Sequence, residues 1–305
     1  MPTTPALPYR LGCPMWGHRH WVGRLFSTDA DVKDFLAQYS SVFNAVEGNT
    51  TFYGLPTAET VARWNEEAAD NFRFCFKFPR QITHSLKLQH AQDETTEFFN
   101  RMDPLGDKLG PFLLQLPSDY GPDELAGLAN YLSVLPAAHR YIVEVRHPHF
   151  FTNESANKSL SDLLENLRMD RVMFDSRPLF SVHARTEAVK EAQRKKPRLP
   201  AYTFALAQHP TLRFVGHPTL EKNKEYFRVW LRKLTGWIEA GLEPYIFMHM
   251  AEKTEAPDLA NAFHKGLKEY SKTWQRLPNM PIKPKNPPPK TQGDASQDEQ
   301  QLDLF

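Results

Sequence analysis

Several short apolar runs in this chain end in residues able to do acid–base or electrostatic chemistry. One run leads into Glu47, Asn49, Phe52 and Tyr53, another into Lys77 and His84, and another into Glu144, Arg146 and His147. Later runs lead into Asp175 and Arg177, into Arg213 and His217, and into His249. A carboxylate or imidazole can move a proton, and lysine or arginine can hold an anionic group. Residues two apart on an extended strand share a face, so Glu144 and Arg146 are expected side by side, the guanidinium keeping the carboxylate ionised. Glu47, Asn49, Glu144, His147 and Asp175 are the catalytic candidates. Lys77, His84, Arg146, Arg177, His217 and His249, with the rings of Trp16 and Tyr53, are the candidates for holding substrate.

These types leave the reaction open. Glu47, Glu144 and Asp175, with His147, His217 or His249, would suit a divalent metal and hence a metal-assisted phosphodiester hydrolysis. The same residues without metal offer a general base and an anion clamp of Lys77, Arg146, Arg177 and Arg213, as a sugar or sugar-phosphate enzyme would need. Buried ion pairs that only fill space, and loop packing of the tryptophans, are the bland alternatives. The chain has no HExxH, Gly-x-Ser-x-Gly or Walker sequence, so any site must be assembled by the fold from distant segments.

The elements that must position them follow from hydrophobic period. Apolar runs at 9–13, 45–47, 73–78, 112–116, 141–145, 171–174, 212–215 and 245–248 predict strands. Segments of helical period lie between them at 29–39, 58–67, 93–102, 122–132, 157–167 and 222–240, with a last one at 257–274. The stretch 182–200, with its basic cluster Gln193 to Arg198, is expected to be an irregular loop insertion. About eight βα rounds predict an α/β fold of the (β/α)8 TIM-type barrel class, with residues 1–277 as the barrel domain. An open doubly wound sheet is disfavoured because no Gly-rich phosphate turn follows the first strand. In a barrel, functional groups gather on the loops at the C-terminal ends of the strands.

Composition is compatible with one large domain. The chain has 305 residues, 41% of them hydrophobic and 12% aromatic, and its formal net charge is only +1. Bulk attraction to nucleic acid or anionic membrane is therefore not expected, and anion binding must be local. Two cysteines, Cys13 and Cys75, without CxxC spacing argue against a disulfide scaffold or a thiolate zinc site. With neither a signal-peptide pattern nor a long apolar span, the expectation is a cytoplasmic protein that does not enter membranes.

Four blocks in order, Gly12 to Trp21, Val46 to Tyr53, Phe76 to Phe78 with Ile82 to His84, and Val143 to His147, resemble the YecE-like family, domain of unknown function 72. The resemblance covers most of residues 9–275 and implies a TIM barrel related in architecture to sugar isomerases and abasic-site endonucleases, with no firmly established general activity. It implies a pocket at Glu47, Asn49, Lys77, His84, Glu144, Arg146, His147 and Asp175. Two departures from the family pattern stand out. Paired asparagines usual at the last strand are replaced here by Phe247-Met-His-Met250, and Glu47-Gly-Asn49 stands where an apolar or hydroxyl residue commonly precedes the asparagine.

Residues 278–305 form a separate region, a Pro-rich and then polar tail expected to be disordered. It ends in Gln301, Leu302, Asp303, Leu304 and Phe305, which resembles the pentapeptide by which bacterial replication and repair proteins bind the DNA polymerase sliding clamp. A flexible tether can present the three apolar side chains to a groove while Gln301 hydrogen-bonds. The leading expectation is thus an enzyme acting on a phosphorylated or nucleic-acid-derived substrate in a repair or replication setting. A non-catalytic ligand-binding adaptor on the clamp is the alternative.

Overall fold

The computed structural model describes residues 7–270. The expected tail, with its boundary at 277 and the motif Gln301–Phe305, lies outside the described residues. The strands are β1 (Arg10–Gly12), β2 (Ala45–Gly48), β3 (Arg73–Phe76), β4 (Phe112–Gln115), β5 (Tyr141–Glu144), β6 (Asp170–Arg171), β7 (Met173–Asp175), β8 (Thr211–Val215) and β9 (Tyr245–His249). The α-helices are α1 (Phe35–Val42), α2 (Ala58–Glu67), α3 (Gln92–Met102), α4 (Leu125–Ser133), α5 (His149–Thr152), α6 (Glu154–Asn166), α7 (Arg177–Phe180), α8 (Glu187–Lys195), α9 (Asn223–Glu239) and α10 (Ala256–Tyr270).

The fold is mixed α/β with parallel sheets. The strand orders are β1-β9-β8-β7, β2-β3 and β4-β5-β6, and every pair in them is parallel. Backbone contacts continue between these sheets. Glu47 N donates to Cys13 O at 3.1 Å, linking β2 to the end of β1. Parallel bridges Phe74–Leu109 and Lys77–Leu113 link the β3 and β4 segments. The single run expected at 171–174 is split at Val172, whose N–H donates to Val143 O at 2.9 Å between β6 and β7. At Gly12 the β1 and β2 backbones come so close that a Cβ there would lie 1.9 Å from Ala45 O.

Strand parity sorts the side chains. Ala45, Cys75, Tyr245 and Phe247 form one small buried cluster and Leu113, Ile142 and Val172 another. Their strand neighbours Val46, Phe74, Phe76, Leu114, Ile246 and Met248 belong instead to the main core, which includes the apolar stripes of the helices. Helix α2 illustrates how the sequence builds such a stripe. Thr57 Oγ1 accepts from Thr60 N at 3.2 Å, capping the first turn, and the buried residues Thr60, Val61 and Trp64 follow at helical spacing.

The expected loop insertion at 182–200 is corrected by α8. Thr186 caps it by accepting from Val189 N, Glu187 pairs with Lys190, and Glu191 pairs with Lys195. Val189 is buried with Phe174, Leu179 and Val215, and Gln193 Nε2 donates to Leu179 O and Val182 O. The basic cluster obscured a helix whose apolar face is only a few residues wide. That helix covers the C-terminal ends of β7 and β8.

Candidate functional site

Arg213 is the centre of the site. It stands in register with Phe174 on β7 and Phe247 on β9, is 2% exposed, and reaches across all three sheets. Its Nε and Nη2 donate to Glu47 Oε2 and Oε1, each at 2.7 Å, and its Nη1 donates to Glu144 Oε2. Glu144 Oε1 also accepts from Arg146 Nε at 2.8 Å, as strand parity predicts, and Arg146 Nη2 donates to Gln115 Oε1 at 2.7 Å. Glu47 Oε1 accepts in addition from Asn49 Nδ2 at 2.8 Å, and Oε2 lies 3.1 Å from His249 Nε2. An ionised carboxylate only accepts, so Nε2 carries the proton and Nδ1 of neutral His249 is left as an acceptor.

Burial opposes charge on both carboxylates, and their partners overcome it. Arg213 and then His249 hold Glu47 well below the usual carboxylate range, and Arg213 with Arg146 brings Glu144 down to about 2. The two carboxylates in turn raise Arg213 despite its burial. For His249 burial prevails and lowers it to about 4, because Glu47 is already neutralised by Arg213.

Two amines face this network. Lys77, two residues beyond the β3 position that pairs with Glu47, is 7% exposed and held well below its ordinary value by burial, Arg146 and Arg213. Its Nζ lies 3.3 Å from the centroid of the Phe52 ring. Lys196, just after α8, is lowered to about 8 by burial and Arg213, and its other charged neighbours are Glu47, Arg146 and Glu144. The next residue is anchored to the end of β7, where Ser176 Oγ donates to Pro197 O at 2.8 Å.

The structure thus brings together Glu47, Asn49, Glu144, Arg146, Lys77 and His249 of the expected residues. His84 lies at the edge, its ring 5.0 Å from that of Phe52 and its pKa lowered to about 4 by burial and then by Lys77 and Arg146. Tyr53 is 73% exposed beside Phe52. Asp175 is elsewhere: parity turns it away from the face of Arg213, and its oxygens accept from Arg177 Nε at 2.8 Å, Arg177 Nη2 at 2.7 Å and Trp230 Nε1 at 2.7 Å. Arg177 is therefore spent on Asp175. His147 Nδ1 accepts from His149 N and His217 Nδ1 from Thr219 N, each within its own loop. Trp16 packs into the core, 4% exposed and edge-on to Trp64 and Phe74 at 5.1 and 5.9 Å.

Sequence reasoning left out Gln115 and Lys196 and named Arg213 only as one anion-holding residue among four. Gln115 gives no signal beyond its place at the end of an apolar run. Lys196 was hidden inside the basic cluster, although Thr186 and the Glu–Lys spacings mark the helix that delivers it.

The expected carboxylate metal set does not fit. Both oxygens of Glu47 and of Glu144 are engaged by guanidinium groups, and Asp175 belongs to a different network. Among the described residues no group of three His, Cys, Asp or Glu side chains is placed to hold a metal ion.

Comparison with known proteins places the chain. The family described as protein of unknown function DUF72 matches residues 10–285. This chain belongs to the DUF72 family. The UPF0759 protein YecE of Escherichia coli strain K12 is 41% identical over 271 residues, covering 89% of this chain and 97% of that protein. Crystal structures of DUF72 family proteins from Thermotoga maritima and Enterococcus faecalis, each 19% identical, superpose with TM-scores of 0.64 and 0.62. Each covers 85% of this chain, with 99% and 95% of the respective neighbour matched. At that identity the likeness concerns the fold. Among the described residues no helix is long and apolar enough to cross a membrane.

Proposed function

We propose that the strand-end cluster is the active site of an enzyme acting on an anionic, phosphorylated or nucleic-acid-derived substrate. One observation carries this reading: Glu47 and Glu144 are balanced by Arg213 and Arg146, while Lys77 and Lys196 beside them have no ion-paired carboxylate among the described residues. An incoming anion would supply the missing charge and hold Lys196 in its cationic form. The succession of parallel contacts from one strand to the next supports a closed (β/α)8 barrel, in which such a cluster occupies the catalytic end.

In this reading Glu47 and Glu144 are positioning residues that fix Arg213 and Arg146, and the substrate meets Arg146, Lys77 and Lys196. Asn49 steadies Glu47. His249, neutral and oriented by Glu47, accepts a proton at Nδ1. No step passes through a metal.

Isothermal titration of the purified protein with inorganic phosphate and with a short oligonucleotide tests the reading. Saturable binding that weakens at least about tenfold in Lys196→Ala is expected, the loss of a charge-assisted contact. Binding equal in the wild type and the variant, or none to either ligand, refutes it.

A second reading concerns a partner and rests on Gln301, Leu302, Asp303, Leu304 and Phe305. These residues are proposed to dock on the DNA polymerase sliding clamp and so concentrate the enzyme near DNA. Replacing all five with alanine should abolish co-elution with purified clamp while leaving phosphate binding intact. Co-elution that survives the replacement removes this reading.

A further inference from the structure

Among the described residues, the charges of the cluster are paired with one another except at its amines. Lys77 Nζ contacts the face of Phe52 and has no hydrogen-bond or ion-pair partner among the described residues. Its backbone is held from several sides: Lys77 N donates to Gly48 O at 3.0 Å, Lys77 O accepts from Thr51 Oγ1 at 2.6 Å, and the residue bridges to Leu113. A long flexible side chain is thus set on a rigid strand end with its amine uncommitted.

We propose that Lys77 is a nucleophile that condenses with the carbonyl of an aldehyde or ketone carrying an anionic group, forming an imine. This deepens the anionic-substrate reading and rests on it for the charged group, which Arg146 and Lys196 would hold. The Nζ lone pair attacks the carbonyl carbon, the C–N bond forms, and the carbonyl π electrons move to oxygen. Both amine hydrogens end on that oxygen, the C–O bond breaks, and water leaves as the C=N bond forms. The balance needs no oxidant, reductant or metal.

Nucleophilic attack requires the free amine, and the surroundings supply it. The face of Phe52 favours the ammonium. Burial and the guanidiniums of Arg146 and Arg213 act against it and prevail, because the attraction of Glu144 and Glu47 is engaged by those same guanidiniums. A lysine desolvated beside other cations is a recurring way to make an amine nucleophilic at neutral pH. The neutral His84, its ring 5.0 Å from that of Phe52, adds a local acceptor for a proton in transit.

Competitive reductive methylation of the full chain with formaldehyde and cyanoborohydride at pH 7, read by peptide mass spectrometry, tests the amine. Lys77 should react at least about tenfold faster than the exposed Lys158 and Lys190, since each unit of lowered pKa raises the free-amine fraction about tenfold. Dihydroxyacetone phosphate with borohydride should then leave its reduced adduct on Lys77, and unphosphorylated dihydroxyacetone should do so more slowly. Lys77 reacting no faster than Lys158 overturns the proposal, even if calorimetry still finds phosphate binding and the anion-site reading stands. Fast Lys77 methylation with equal trapping of both ketones overturns the anionic substrate class, and with it that reading, but keeps the reactive amine.

Discussion

Replacing Arg213 with methionine removes the charge that joins three sheets while keeping an unbranched side chain in its place. Glu47, fully buried, then loses two of the four hydrogen bonds its carboxylate accepts, and Glu144, 1% exposed, keeps only Arg146. Stranding a buried charge costs about 3–5 kcal/mol, a large fraction of the roughly 5–15 kcal/mol that separates folded from unfolded states. Burial, no longer opposed by Arg213, should raise the Glu47 pKa above its unfolded value. Stability from such a group is fully present below the unfolded pKa and lost as pH rises through the folded pKa, so the deficit relative to wild type should shrink between pH 7 and pH 5. Adding Glu47→Gln to Arg213→Met should recover part of the loss at pH 7. Urea denaturation followed by tryptophan fluorescence measures each difference. A deficit under about 1 kcal/mol, or one that does not shrink on acidification, would refute the claim that Arg213 is what makes these buried carboxylates tolerable.

Acidification of the wild type should reduce stability in two stages. His18, His84 and His249, each held to about 4, leave the unfolded chain binding more protons from about pH 6.5 downwards, and Glu144, held at about 2, adds a loss below about pH 4.5. The Glu144 contribution is on the order of 3 kcal/mol, and melting temperatures that stay flat from pH 7 to pH 4 would contradict the histidine assignments. Trp16→Ala should cost about 3–5 kcal/mol as a core cavity, whereas Tyr53→Ala should stay within about 0.5 kcal/mol, both measured by denaturant midpoint. A destabilising Tyr53→Ala would mean that its ring is not the exposed group seen here. Gly12→Ala should lower stability by about 1–3 kcal/mol or more, because its Cβ would meet Ala45 O and force β1 away from β2. An unchanged melting temperature would show that the strands can separate freely at that point.

The positions of the strands and most helices were legible in the sequence because apolar runs, helical spacing and caps such as Thr57 are local signals. So was the pairing of Glu144 with Arg146, which needs only strand parity. The rest depended on register between distant segments. Arg213 meets Glu47 across 166 residues and Glu144 across 69, and no local pattern specifies such a meeting. Asp175 looked equivalent to the two glutamates, yet a one-residue difference in parity turned it towards Trp230 and Arg177. Lys196 was hidden in a basic cluster until α8 carried it over the strand ends. The sequence by itself determined which residues end the strands. Tertiary structure alone decided which of them share one face, and hence which charges are paired and which amines are left open, because burial and Coulomb interactions depend on distance through space.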